Sequence, residues 1–466
     1  MAGADVRRFS MDRRGTSLSF VFGVTHGALL SLAEALLFPT IVLTVFVAQL
    51  TDDPIKIALV PVIGTTVWLL PQIVLGSAGW RNRRQLPWAS GAAIVQTAAI
   101  VLLAYVGYRA DMNDGERLRS FFLCYAVFNF AAGLASIPTR ELLAKSIPRD
   151  RRATFFAQRS LWGTVLALVA GVVVRSLFGA DGPAFPRNFT SLFAAAAGAL
   201  AAATFFQMRL REPARLVGGS SSAPPAGLRN APQVMANANF RRLMVFRGFL
   251  VASTLADPFL VVYARRELDL PLSYLGTYLI AAVAARFLSA PLWAWLESRG
   301  GHRAVLQGTA LSRLVAPLVA LILPYVADTT VYRDRFDDNR PLFLAFAVVF
   351  VALGAALGGQ IRANYGYLMD IAPVELRPAY TSLANAIMAV AALAPLIGAV
   401  LVERYSYETL FTTASLVGLA AVFVSGILTD THTRTRPVTQ AWRLRGARSA
   451  PPAPQSWGET KGRPGL

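Results

Sequence analysis

Two carboxylates stand inside apolar sequence: Glu34 in SLAEALLFPTIVLTVF and Asp257 in STLADPFLVVYA, 223 residues apart. An ionisable group at membrane depth is costly and marks a place where ions or solutes are handled. Desolvation favours the neutral acid, so such a carboxyl can take up a proton and remove a charge that would block reorientation of an empty carrier. Each acid is close to a proline, Pro39 or Pro258, which frees backbone groups and can kink a helix. His26 precedes Glu34 by eight positions, roughly two helical turns, and could share its face. Glu34, Asp257 and His26 are the proton-coupling candidates.

Their basic and polar counterparts are Arg286, Arg313 and Arg362, the last beside Gln360, Asn364 and Tyr365, with Asn129 in an earlier run. A lone arginine at this depth is expected to be paired. Asp257 with Arg286 or Arg313 is the simplest pairing. The N-terminal half offers Glu34 no arginine at mid-depth, so Glu34 is the stronger proton site. Arginines facing a cavity would select an anionic organic solute by bidentate hydrogen bonding, an inference that disappears if all of them are paired. Gln72 and Gln96 read as ties between helices, and Trp68, Trp162, Trp293 and Trp295 as interfacial anchors, Trp162 being the one to watch.

These residues must be carried by membrane helices. The chain has 466 residues, 55% of them hydrophobic and 15% charged, more apolar surface than one soluble core buries. Apolar windows of about twenty residues and no strand-like alternation predict an all-α polytopic membrane protein with twelve transmembrane helices. Six precede and six follow a Gly-, Ser- and Pro-rich linker, giving two pseudo-symmetric halves. The expected divisions are a cytoplasmic tail 1–17, a six-helix half 18–210, a linker 211–240, a second half 241–428 and a disordered basic tail 429–466. The net charge of +19 lies in short loops and tails, a topogenic pattern and not a nucleic-acid face. Lys and Arg number roughly 28 on one side against roughly 11 on the other, which sets both termini in the cytoplasm. The single cysteine, Cys124, and three scattered histidines argue against a disulfide framework, a metal site or a cofactor.

A duplication is written in the loops as well. SIPRDRRATFF, with Pro148, Asp150 and Arg152, returns as IAPVELRPAYT, with Pro373, Glu375 and Arg377. LESRGGHRAV carries Glu297, Arg299, Gly300 and Arg303, and its first copy GSAGWRNRRQL carries Arg81, Arg83 and Arg84 but no acid. Glycines allow a tight turn there, and the guanidinium groups can reach helix C-terminal carbonyls or facing carboxylates as a conformational latch.

Over residues 18–428 these features resemble the major facilitator superfamily, and WLLPQIVLGSAGWRNRRQLP resembles a bacterial branch of it. The resemblance implies two rocking halves with a midplane site lined by the first and seventh spans. Span 5 lacks the Gly- and Pro-rich signature of drug/proton antiporters, and sugar- and peptide-porter signatures are missing. The expected function is a proton-coupled secondary transporter of a small organic solute in the cytoplasmic membrane, acting as a monomer. The alternative is a non-transporting member of the same fold, an assembly or pigment- and lipid-handling factor. No nucleophile triad, phosphate loop or metal constellation suggests an enzyme.

Overall fold

The structure is a computed structural model, and it describes residues 2–75, 84–109, 111–212, 230–336 and 338–429. Arg81, Arg83, most of the expected linker and the tail from residue 430 lie outside the described residues. All regular structure among the described residues is helical.

The chain opens with α1 (Ala2–Leu36), a π turn at Pro39–Leu43 and α2 (Thr44–Leu50). Then come α3 (Pro54–Val62), a second π turn at Ile63–Val67, α4 (Trp68–Leu75), α5 (Leu86–Tyr108), α6 (Asp114–Ser146), α7 (Arg152–Leu177) and α8 (Arg187–Met208). Beyond residue 230 follow α9 (Ala231–Ala236), α10 (Ala238–Ala252), a 3-10 turn at Ser253–Ala256 and α11 (Asp257–Glu267). The remainder is α12 (Tyr274–Leu288), α13 (Ala290–Ala327), α14 (Thr330–Arg335), α15 (Arg340–Ile371), α16 (Arg377–Ala391), α17 (Ala394–Arg404) and α18 (Tyr407–Val424).

Proline sets the irregularities. Pro39 begins the first π turn, Pro61 sits just before the second, and Pro258 follows the first residue of α11. Lacking an N–H, each removes a ladder bond and crowds the preceding turn, so helix geometry changes beside it.

Eleven helical stretches among the described residues are long and apolar enough to cross a membrane. Where the sequence suggests spans 272–296 and 303–327, the structure has one stretch, Tyr274–Ala327, of 54 residues. The connecting turn is only Gly300 and Gly301, the latter at φ 62°, so no polar loop separates the legs. They fold back on each other: Trp293 Nε1 donates to the Ala355 carbonyl (3.0 Å) and Ser312 Oγ to the Ala352 carbonyl (2.9 Å), both on α15.

Close packing repeats along the chain. Gly133 of α6 lies on the Trp68 carbonyl of α4, and Gly354 of α15 lies on the Ala282 carbonyl of α12. A methyl at either glycine would collide with that oxygen, so only glycine permits the approach. The two loop copies cap alike: Arg152 donates to the Ala144 carbonyl, and Arg377 to the Met369 carbonyl (3.3 Å), each eight residues back. The guanidinium groups thereby satisfy helix-end carbonyls that have no partner within the helix.

Helices from before and after the 213–229 gap meet where α7 packs on α12, α2 and α3 on α11, α3 on α17 and α4 on α16. At the end marked by the α2–α3 turn, Arg266 forms an ion pair with Asp52 at 2.6 Å.

Candidate functional site

Glu34 lies in the last turn of α1, just before the helix breaks at Phe38. Its neighbours Ala33, Ala35 and Leu36 are buried, whereas Glu34 is exposed. The charges that act on it are Arg286, from the last turn of α12, and Arg159, from α7. An acid flanked by guanidinium groups from both parts of the chain faces the space between them. Glu34 has no ion-pair partner within 4.0 Å among the described residues, so its carboxylate stays open to solvent or solute.

Arg159 is held by α1 itself. Its Nη1 donates to the Gly23 carbonyl at 2.7 Å, and its side chain lies over Gly27, where any Cβ would strike the guanidinium. Glu34 thus has an arginine of its own half acting on it, one that the sequence reading does not assign to it. Arg159 was missed because it stands two turns from Arg152 and reads as part of the charged end of the run. The available signal was the pair Gly23 and Gly27, a four-residue spacing that lets a large side chain lie on the helix.

Asp257, the first residue of α11, is enclosed instead. Arg313 Nη2 reaches both carboxylate oxygens at 2.5 and 2.6 Å, and Arg313 Nε donates to Ser253 Oγ at 3.0 Å. Ser253 Oγ donates onward to the Leu250 carbonyl (2.8 Å). With side chains only 9% and 18% exposed, this pair ties the 3-10 turn to the second leg of α13. Of the two expected partners Arg313 takes Asp257, and Arg286 is left toward Glu34.

His26 does not share the Glu34 face. Eight residues advance a helix by about 80° beyond two turns, which turns His26 into α8, where Nδ1 meets the Ala203 carbonyl at 3.1 Å. Its Nε2 is buried without a partner. Asn129 Nδ2 donates to the Tyr125 carbonyl of its own helix (2.7 Å), and Asn364 Oδ1 is buried with no partner while Gln360 is half-buried.

The remaining candidates gather away from Glu34. Arg362 is ion-paired with Glu297, whose other oxygen lies 3.3 Å from His302 Nδ1, and His302 Nε2 lies 3.7 Å from Asp370. Arg303 donates to the Gly426 carbonyl (3.2 Å) and Arg299 stacks over Trp295 at 4.3 Å. Asp150, Glu375 and Arg84 are exposed. The first loop copy, which has no acid of its own, is served by Glu212: its carboxylate accepts from the Gln85 and Leu86 amides (2.8 and 2.9 Å) and from Lys145 Nζ (3.0 Å). One further arginine went unnoticed in the sequence. Arg247 of α10 is half-buried between Leu243 and Leu250 on one helical stripe, with no hydrogen bond or ion pair among the described residues.

An open carboxylate beside a broken helix thus lies within electrostatic reach of one guanidinium group from each part of the chain. The Major Facilitator Superfamily description matches residues 248–466. The fold is similar to solved structures of the nucleoside transporter NupG (TM-score 0.58, 14% identity, covering 90% of this chain and 98% of that one). It is similar also to the peptide transporter POT in complex with sulfate (TM-score 0.60, 15% identity, 90% and 94% covered). The second part of the chain thus matches the Major Facilitator Superfamily description, and the fold of the whole is similar to that of these transporters. No curated protein sequence matches it. Glu34, Arg159 and Arg286 amount to one negative and two positive groups, a surplus of one cation. Arg313 and Arg362 are neutralised by Asp257 and Glu297.

Proposed function

We propose that the chain is a secondary transporter that moves a small organic anion across the cytoplasmic membrane by alternating access, with proton coupling at Glu34. The observation that carries this reading is the unpaired, exposed Glu34 carboxylate between Arg159 and Arg286. A carboxylate- or phosphate-bearing solute bridges the two guanidinium groups, which belong to opposite halves, and so draws the halves together. Protonating Glu34 leaves the two cations free for the solute, and losing that proton returns an internal anion to them. The open carboxylate supports transport over the non-transporting alternative, for which a dry centre is expected.

The architecture behind this reading is twelve crossings in two halves, 18–210 and 241–428, with Tyr274–Ala327 counted as two and both termini cytoplasmic. The matched glycine contacts and arginine caps support the duplication. Asp52 and Arg266 then close the outer end, and the loop clusters around Glu297 and Arg152 act as the inner latch.

Purified protein in proteoliposomes, offered a panel of organic anions under an imposed pH gradient, tests the proposal. Wild type accumulates one of them, and Glu34→Gln abolishes pH-driven accumulation while keeping solute exchange. Full pH-driven flux in Glu34→Gln would sink the coupling assignment, and uptake confined to cationic solutes would sink the anion.

A further inference from the structure

The outer flank of α5 and α8 carries a feature that the transport site does not use. A groove of about 750 Å³ runs between these helices, lined by Ile94, Ala98, Val101 and Tyr105 on one side and Ala201 and Phe205 on the other. Its two threonine hydroxyls are spent: Thr97 Oγ1 donates to the Ala93 carbonyl (2.8 Å) and meets Thr204 Oγ1 at 3.1 Å. What remains is hydrocarbon surface on the side facing the bilayer. From Ile94 to Tyr105 the groove is about 16 Å long, roughly half the ~30 Å hydrocarbon layer, the depth of one leaflet.

One end is marked by charge. Arg209, exposed at the C-terminus of α8, holds its guanidinium 4.7 Å from the centre of the Phe205 ring that lines the groove. Arg209 has no carboxylate within 4.0 Å among the described residues. The groove is floored by helices in direct contact and its apolar lining side chains are exposed, a surface along which a methylene chain can lie.

We propose that this groove is a binding site for an anionic phospholipid, with one acyl chain between α5 and α8 and the phosphate on Arg209. Cation–π contact fixes the guanidinium direction, so the headgroup meets an ordered donor.

The test is native mass spectrometry of the full-length protein in detergent, titrated with phosphatidylglycerol and with phosphatidylcholine. Wild type retains phosphatidylglycerol preferentially. Arg209→Gln lowers that preference about fivefold, the effect of one arginine near an anionic surface. Ala201→Phe, or Ala98→Phe should the former not fold, fills the groove and lowers retention of both lipids. Unchanged preference in Arg209→Gln, with its thermal unfolding intact, overturns the headgroup assignment. Unchanged retention in a folded filled-groove variant overturns the site. If Ala201→Phe instead turns a dimer into a monomer while lipid retention is unchanged, the groove is an interface between copies and the proposal fails.

Discussion

Glu34 and Asp257 hold matching places beside broken helices, yet one is open and the other is locked, and the difference lies in where each arginine grows. Arg313 Nη2 grips both oxygens of Asp257, so Arg313→Gln leaves a buried, uncompensated carboxylate and is expected to destabilise the protein by about 3–5 kcal/mol. The double change Asp257→Leu with Arg313→Met should recover most of that loss, as read by thermal unfolding in detergent. A single-site loss no larger than that of the double change would refute the pairing energetics. At the membrane edge, Glu212 is partly desolvated, which raises its pKa, but the Leu86 and Gln85 amides and Lys145 outweigh burial and hold it below the ordinary glutamate value of 4.5. A depressed acid contributes stability that is complete above its unfolded pKa and is lost as pH falls through the folded one. Protection of the Gln85 and Leu86 amides, taken relative to their intrinsic exchange rates at each pH, should therefore fall below about pH 4.5, and Glu212→Gln should lower it and remove that pH dependence. The two acids in apolar runs, and the need of one for an arginine, were legible from residue type alone. Arg159 was not, because its depth depends on lying along Gly23 and Gly27 of another helix, a contact between residues 136 apart.

Helices here are fitted by their smallest residues. Gly133 and Gly354 each bear on a neighbouring carbonyl, so Gly133→Ala and Gly354→Ala should each cost about 1–3 kcal/mol through forced separation of the helix pair. Similar losses of melting temperature are expected for both, and a neutral result at either would show that the contact is slack there. Most helix boundaries could be read from apolar length and proline, as with Leu86–Tyr108 and Arg187–Met208. The exception is the stretch from Tyr274 to Ala327, where polar punctuation was expected to end a helix. The reversal is made by Gly300 and Gly301 alone, and helical hydrogen bonding resumes at once on either side. The π turns at Pro39–Leu43 and Ile63–Val67 were likewise invisible beyond the prolines that cause them, since composition does not say how a freed carbonyl finds its next partner.

At the scale of the whole molecule, the proposed cycle requires the Asp52–Arg266 end to open when the other end closes. Asp52→Cys with Arg266→Cys should form a disulfide that stops transport, and reductant should restore it. Flux that persists in the oxidised protein would mean that this end does not gate. The division into six and six was suggested by repeated loops, whereas the way the parts touch, α7 on α12 and α3 on α17, rests on long-range packing that no local pattern encodes. The Gly300–Gly301 reversal bears on how the protein is made. Its legs are joined with no slack and flanked by Arg299 and Arg303, cations that resist translocation. During synthesis neither leg is expected to settle in the bilayer without the other, so Tyr274–Ala327 should insert as one hairpin.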